Sequence, residues 1–600
     1  MKIIPRTSSQ FTLIAVAALT LSLCPASRAD IAPPPPKASV AVQDFALIDH
    51  QGAFRHLYYY AKDPSTKAIV LFVQGDGCPL VRKRVPQLKR LNEAYASKGV
   101  LFWMINPNVQ DSRSEVAKEA TEFGIDLPIL LDPTQLVARE LKITRTGEAI
   151  VIEPNSWRIR YRGAIDDQLD YESQKPEAQH EYLKEALDAL LAGTAIKTEA
   201  TAAPGCVVTY PKSEVASYSE TIGPMLKANC VQCHTKGGIA PFAMSSYEKV
   251  RGWSEMMREV LVTRRMPPWQ ADPHVGKFGN DFSLSPEQTR TLVQWIDAGT
   301  PRGGGDDPLA GYQPELPEWK LGKPDFIVEI PEQSVAAEGI FDYRYVTVDV
   351  PNQEDVWLRA TEIIPGNKRV LHHIIVNTIL PGEDRNRNAK ALTGYAPGMG
   401  PDLLPRGTGR LLTAGSKIVF QLHYTASGKA ETDRSRLGLY LAKEPPEREL
   451  RSRVLIDYKF QIPPGDQEFK RKKSGKFDKD VLLYTMNPHM HLRGKSMRYS
   501  ARYPDGTEEV LLNVPNYDFG WQRNYELKEP KRLPKGTEII VDAAWDNSLL
   551  NRNNPDPTKT VGWGDQTFNE MFFASYRYTY VDVASPVAGK RTASASSAKQ

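Results

Sequence analysis

Six hundred residues are too many for one core, and the usual relation of length to folding units allows about three to five domains. A hydrophobic content of 41% with 25% charged residues is globular rather than disordered, so most of the chain is expected to fold. The net charge of +4 is close to neutral and no basic tract carries interleaved aromatics, which excludes nucleic acid as a partner.

The first element in chain order is an export signal, residues 1–29. Lys2 and Arg6 supply positive charge, residues 11–23 (FTLIAVAALTLSL) form an apolar run too short for a comfortable membrane span, and Ser27 and Ala29 suit cleavage before Asp30. Cys24 raises a lipoprotein alternative, but Leu23 is a poor residue to precede a lipidated cysteine. No later stretch is long and apolar enough to be a transmembrane segment once the signal is removed, so a periplasmic or secreted protein is expected. Cys78, Cys206, Cys230 and Cys233 then remain, too few for a disulfide framework.

After a stiff proline-rich leader (30–38), residues 39–195 alternate strand-like and helical runs. AIVLFV (68–73) precedes a helix from about 80 to 97, VLFWMI (100–105) precedes another at 113–123, and AIVIE and RIRYRG read as strands. The pattern predicts an α/β sheet with helices on its faces. Cys78, in GDGCPLVRK, falls at a helix N-terminus, where the dipole lowers a thiol pKa. With YRGAIDD later in the segment, this resembles the thioredoxin/peroxiredoxin superfamily, redoxin type, and makes Cys78 a candidate redox thiol. Three departures stand against that role. No second cysteine completes a CxxC, Thr146-Gly147 stands where the family usually has a cis-proline, and the peroxidase threonine is absent. Cys78 is left either to pair with Cys206 or to serve no chemistry, with docking as the alternative role of the domain.

A linker (193–205) leads to a small helical segment, 212–300. Its last helix is written by Ser285 as N-cap, Pro286 at the first position, Gln288 at the third and Gly299 just past the end. The segment contains Cys230-Val231-Gln232-Cys233-His234, the c-type haem attachment spacing. Two cysteines on one helical turn reach the vinyl groups and the histidine supplies an axial ligand. A zinc site would need further ligands, and only His274 is near. A thioredoxin-type CxxC belongs after a strand. Met266 in RRMPPW is the candidate sixth ligand, with Met225, Met244, Met256 and Met257 as competitors. MPPW, a polar loop and a capped last helix resemble class I cytochrome c modules fused to larger enzymes.

A second linker (301–324) opens the longest segment, 325–585, where short Val-, Ile-, Tyr- and Thr-rich runs alternate with turn residues. This predicts two all-β sandwiches, residues 325–455 and 456–585, before a disordered tail at 586–600. Histidines fall in its strand-like runs: His372 and His373 (RVLHHIIV), His423 (VFQLHYT), His489 and His491 (NPHMHLRG). His489 and His491, two apart, leave one face of a strand and can share an ion. His372 and His373 point to opposite faces unless the strand bulges or ends there. Imidazoles suit copper or zinc, and a thioether, with Met571 in VGWGDQTFNEMFF as candidate, favours Cu(I).

The order HH, isolated His, HxH and late Met after WGDQTFNE resembles the copper type II, ascorbate-dependent monooxygenases, which include dopamine β-monooxygenase and peptidylglycine α-hydroxylating monooxygenase. The resemblance covers residues 325–585 and implies two jelly-roll domains with one copper each. His372, His373 and His423 would hold the electron-supplying copper, and His489, His491 and Met571 the catalytic copper where O₂ reacts. One position departs: Asn487 stands where the peptide-amidating relatives have the arginine that clamps a substrate carboxylate, so peptide amidation does not carry over. The whole chain is thus expected to be multi-domain: an α/β thioredoxin-like domain, a small all-α cytochrome c-like domain and two all-β jelly-roll sandwiches. The expected function is copper-dependent monooxygenation of an organic substrate of unknown identity, using two copper ions, one covalent haem c, O₂ and an external electron donor. The alternatives are a non-enzymatic copper-binding or electron-transfer protein, a structural zinc site, and a thiol–disulfide oxidoreductase centred on Cys78.

Overall fold

The computed structural model describes residues 41–212, 214–383 and 389–581; the expected signal peptide, Cys24, the proline-rich leader and the tail lie outside them. The chain begins with a seven-stranded mixed sheet. Ala68–Val73 and Val100–Asn106 run parallel at its centre, with Ile129–Leu131 beyond, and Ala149–Glu153 and Arg158–Gly163 follow antiparallel on the other side. The run AIVLFV is buried throughout because its two faces feed two cores. Ala68, Val70 and Phe72 pack with the helices Pro79–Tyr95, Arg113–Glu122 and Tyr182–Leu191. Ile69, Leu71 and Val73 join a second cluster that extends through Tyr218, Leu226, Val231 and Trp295. The helical segment therefore shares one continuous apolar core with that side of the sheet domain.

That segment comprises Gly223–Asn229, Tyr247–Gly252, Ser254–Val262 and Pro286–Asp297. The last helix carries the predicted caps: Ser285 Oγ accepts from Gln288 N–H at 3.1 Å and Gln288 Oε1 accepts from Ser285 N–H at 2.9 Å. Between the last two helices the chain leaves the segment. Trp269 packs edge-on against Tyr525 at 4.9 Å, and Phe278 pairs with Leu527, so both side chains join a core of the β-rich region.

The β-rich region holds several sheets. Arg344–Asp349, Lys417–Tyr424, Leu371–Ile379 and Lys390–Tyr395 form one, facing a sheet built around Val356–Ile364 and Arg436–Leu441 across a shared apolar core. A second pair follows. Arg451–Asp457, Phe572–Tyr580, Val481–His489 and Tyr525–Leu533 face Phe469–Lys476, Glu538–Trp545, Gly494–Arg502 and Glu508–Val514. Arg451–Asp457, which the expected cut at 455/456 would divide, pairs along its whole length with Phe572–Tyr580 and belongs with the second set. The edge strand Phe469–Lys476 (FKRKKSGK) exposes Lys470, Lys472 and Lys476, a charge pattern that discourages edge-to-edge pairing. The two sets are tied by Arg577, whose guanidinium donates to both oxygens of Asp402 at 2.5 and 2.9 Å.

Three parts of the chain meet at Asp272, which is fully buried. Its carboxylate accepts from Arg113 Nη1 of the first domain at 2.5 Å and from Asn513 Nδ2 of the second sheet pair at 3.1 Å. Asn513 Nδ2 also donates to Gly52 O at 2.9 Å. Gly52 has φ +87°, and a Cβ there would lie 2.5 Å from Arg113 Nη2, so only glycine fits. Burial works to raise the Asp272 pKa, yet the His274 hydrogen bonds and the Arg113 charge hold it well below the usual carboxylate range.

Candidate metal centres and haem attachment site

The strand Leu371–Ile379 bulges at His372: Leu371 faces Tyr424 and His373 faces His423, with the register shifting between them. The extra residue turns His372 toward the same side as His373, the condition set by their adjacency in sequence. His372, His373 and His423 converge so that their ligand atoms all lie within 4.8 Å of one another. His372 Nδ1 is 3.0 Å from His373 Nδ1, a separation that an ion about 2.0 Å from each nitrogen can bridge. His423 Nδ1 is buried with no hydrogen-bond partner. An orphaned buried acceptor beside two converging ring nitrogens is what a metal ligand looks like without its ion. Burial depresses the His423 pKa to about 4 and lowers those of His372 and His373, keeping the rings in the neutral, metal-binding form.

The second cluster is built on the end of Val481–His489. His489 and His491 have ring centroids 5.3 Å apart, with planes perpendicular. The strand stops at His489, and His491 is placed by two contacts: its N–H donates to Glu570 Oε2 at 2.9 Å and its Nδ1 lies 3.3 Å from Asn569 O. His489 Nδ1 lies 2.8 Å from Gln522 Oε1. Each ring thus spends Nδ1 as a donor to a fixed oxygen and leaves Nε2 for an ion, the arrangement by which a hydrogen bond on one ring nitrogen orients the other toward a metal. Met571 begins the segment that leads into Phe572–Tyr580. The N–H of Met571 donates to Glu570 Oε2 at 3.3 Å, the same oxygen that accepts from His491 N–H. Burial lowers the pKa of His489 to about 4 and that of His491 to about 3.

Glu570 organises this second cluster and was given no role on sequence grounds, although it stands in the quoted WGDQTFNE run. Its buried carboxylate accepts from the N–H groups of His491, Arg493 and Met571 and from Trp545 Nε1. Burial pushes its pKa up to about 7 against these donors, which favour the anion. Gln522 carried no sequence signal; only the fold brings it to His489. The two clusters face each other across Phe519, whose ring stacks on His372 at 5.5 Å and meets His491 at 5.6 Å and His489 at 6.5 Å.

In the helical segment, Cys233 and His234 donate their backbone N–H groups to Cys230 O, so the motif forms one turn after Gly223–Asn229. His234 Nδ1 lies 3.2 Å from Phe242 O, leaving Nε2 free to ligate, and its ring packs on Phe242, itself stacked on Trp253. Burial pushes the Cys230 thiol up to about 12. Ile239, Trp253 and Met256 leave 43%, 41% and 44% of their surfaces exposed, apolar area suited to a flat porphyrin. Among the candidate sixth ligands, Met244 and Met257 are committed to the core, whereas Met266 is half-buried just beyond the helix Ser254–Val262.

Cys78 is buried at the N-terminus of the helix Pro79–Tyr95, and its Sγ lies 2.8 Å from Cys206 Sγ. The linker carries Cys206 back to the sheet edge. Thr146 N–H donates to Cys206 O, and Cys206 N–H donates to Thr146 Oγ1, each at 2.9 Å. A Cβ at Gly205 would fall 1.7 Å from Thr146 O, so this approach requires glycine. Thr146 Oγ1 is 3.2 Å from Cys78 Sγ. Burial opposes ionisation of Cys78, but hydrogen bonds from Cys206, Thr146 and the Val81 amide lower its pKa, while burial and the Cys78 neighbour raise that of exposed Cys206.

Residues 39–168 match the AhpC/TSA family. A stretch of 128 residues is 28% identical to DBH-like monooxygenase protein 2 of Mus musculus, covering 20% of this chain and 19% of that protein. Among solved structures, an uncharacterized conserved protein from Geobacillus kaustophilus is 28% identical with a TM-score of 0.25, covering 30% of this chain and 96% of its own. A hypothetical protein from Sinorhizobium meliloti 1021 is 22% identical with a TM-score of 0.27, covering 30% and 97%. A putative thiol:disulfide interchange protein DsbE from Chlorobium tepidum is 16% identical with a TM-score of 0.22, covering 26% and 99%. The chain therefore opens with a thioredoxin-like α/β domain and continues into a large β-rich region of several sheets.

Proposed function

We propose that this chain is an exported copper-dependent monooxygenase of the type II, ascorbate-dependent kind, which hydroxylates a C–H bond of an organic substrate. The observation that carries the reading is the convergence of His372, His373 and the unpartnered, buried His423 Nδ1 opposite His489 and His491, across one phenylalanine ring. His372, His373 and His423 would hold one copper, and His489, His491 and Met571 the other, on two jelly-roll sandwiches. Copper, when bound, supplies one-electron transfer and reaction with O₂. The protein's own part is to keep five imidazoles neutral, to fix the free nitrogens of His489 and His491 through Gln522, Asn569 and Glu570, and to hold both clusters on rigid strands. A haem c on Cys230 and Cys233, with His234 and Met266 as axial ligands, would relay electrons from an external donor. Asn487 donates through Nδ2 to Arg523 O at 2.9 Å, so its side chain is engaged in the fold and is not a carboxylate clamp.

Metal and haem analysis of the purified, copper-loaded chain, combined with oxygen electrode measurements, tests the reading. It predicts two copper equivalents, one haem, and reductant-dependent O₂ uptake that a chelator abolishes. A copper storage or electron-transfer protein would bind both ions but consume no O₂ above background, and that outcome would overturn the proposal.

The 2.8 Å approach of Cys78 and Cys206 favours a second activity in the first domain, thiol–disulfide exchange with an external dithiol protein. Both cysteines are free thiols here. In the oxidised state, the reverse exchange with a partner disulfide has left them as a Cys78–Cys206 disulfide and the partner as a dithiol. A partner thiolate then attacks the exposed sulfur of Cys206, and Cys78, the thiol of lower pKa, leaves as thiolate. The second partner thiol then completes reduction, so two electrons and two protons reach the pair and the partner is left oxidised. Cys206→Ser should abolish exchange while leaving copper content and O₂ uptake unchanged. Retained exchange in that variant, measured with a dithiol reductant, would remove Cys206 from the chemistry.

A further inference from the structure

The turn Tyr517–Arg523 joins strands from opposite sheets of the second pair, Glu508–Val514 and Tyr525–Leu533, and its side chains reach both histidine clusters on one side and the helical segment on the other. Tyr517 pins it beside the second cluster: its hydroxyl donates to Met490 O at 2.8 Å and accepts from Met490 N–H at 3.1 Å, at the residue between His489 and His491. Phe519 touches imidazoles of both clusters, and Gln522 holds His489. Trp521 turns the other way. A Cβ at Gly398 would lie 3.1 Å from Trp521 Cζ3 and 3.4 Å from Ile239 Cδ1, so the indole and the side chain five residues after His234 crowd one point. Arg523 continues toward the same side, stacking over Trp521 at 5.5 Å and over Phe282 at 4.6 Å.

Electron tunnelling through protein weakens steeply with distance and is favoured by bonds and packed atoms over gaps. From Trp521 the covalent route to the His489 ring runs through the Trp521–Gln522 peptide unit and the Gln522 side chain to one hydrogen bond, while Phe519, two residues away in the same turn, carries the ring contact to His372. We propose that the Tyr517–Arg523 turn is the electron bridge between the haem-attachment motif and the two histidine clusters, with Trp521 as its contact on the haem side and Phe519 and Gln522 as its contacts to the clusters. This rests on the haem and copper reading above. In each event one electron leaves the ferrous haem and reduces one cupric ion to the cuprous state, leaving ferric haem, with no atom or proton transferred. An external one-electron donor re-reduces the haem, and two events supply the two electrons of one monooxygenation.

The full-length chain, loaded with haem and two coppers and kept anaerobic, is reduced at the haem by a flash-generated reductant, and haem absorbance reports its reoxidation. Trp521→Leu should slow copper-dependent reoxidation by at least about tenfold, with haem content, copper content and haem midpoint potential unchanged, while Trp521→Phe stays near the wild-type rate. Ile239→Ala, at an exposed position, opens the same contact from the haem side and should also slow the rate. Wild-type rates in both Trp521→Leu and Ile239→Ala would overturn the bridge while leaving the copper and haem reading intact. If Trp521→Leu fails to hold its cofactors, the rate in Ile239→Ala decides alone. Absence of copper-dependent reoxidation in the wild-type chain would instead defeat the relay itself.

Discussion

Glu570→Ala should destabilise the chain by about 3–5 kcal/mol and, on the copper reading proposed above, empty the second site, the largest effect of any single change near the clusters. Four donors address this carboxylate from inside the protein: the N–H groups of His491, Arg493 and Met571 and the indole of Trp545. Removing the acceptor strands those donors away from water, and each unsatisfied buried group costs about 1–3 kcal/mol before relaxation. The same carboxylate fixes the backbone at two proposed ligands, His491 and Met571, so its loss frees both at once. Denaturant unfolding should show the lowered midpoint, and copper analysis should show one equivalent retained at the first cluster. Wild-type unfolding with two bound coppers would show that Glu570 organises nothing.

His423→Ala should act differently, removing copper and turnover with little change in the stability of the metal-free fold. His423 Nδ1 is buried without a partner, so the metal-free protein already bears the cost of an unsatisfied polar atom. Alanine relieves that cost while leaving a cavity, and the two effects oppose each other. Copper binding to the native state then separates the proteins: at a copper concentration 100 times the dissociation constant, the wild type gains about 2.7 kcal/mol that the variant lacks at this site. Copper content should fall from two equivalents to one and O₂ consumption by at least about 100-fold, since losing even a second-shell partner costs about 10–100-fold. Thermal unfolding with and without copper provides the check. Two bound coppers in the variant would remove His423 from the ligand set.

Local geometry that depends on near neighbours was legible in the chain itself. The CVQCH turn, the pair His489 and His491, and the caps of Pro286–Asp297 are local patterns whose geometry is set within a few residues. The adjacency of His372 and His373 posed a steric condition, and the bulge at His372 meets it. What escaped was decided by partners far away in sequence. Cys206 was named as a possible partner of Cys78, but the backbone hydrogen bonds to Thr146 that bring it there were announced by no spacing. Arg451–Asp457 reads as one more alternating run, and only its pairing with Phe572–Tyr580 assigns it to the second sheet pair. Trp269, read as part of a haem-module signature, spends its burial on Tyr525 in a neighbouring core. Glu570 was visible as a letter, but its four donors come from three separate stretches of backbone and side chain.

The meeting of Arg113, Asp272 and Asn513 bears on how this protein can be taken apart. Linkers at 193–205 and 301–324 invite dissection into modules. Yet a fragment severed at the first linker carries Asp272 without its guanidinium and splits the apolar cluster that runs from Ile69, Leu71 and Val73 through to Tyr218, Leu226 and Trp295. Composition marks where the polypeptide could be cut; the buried carboxylate and that shared core mark why the pieces are not independent.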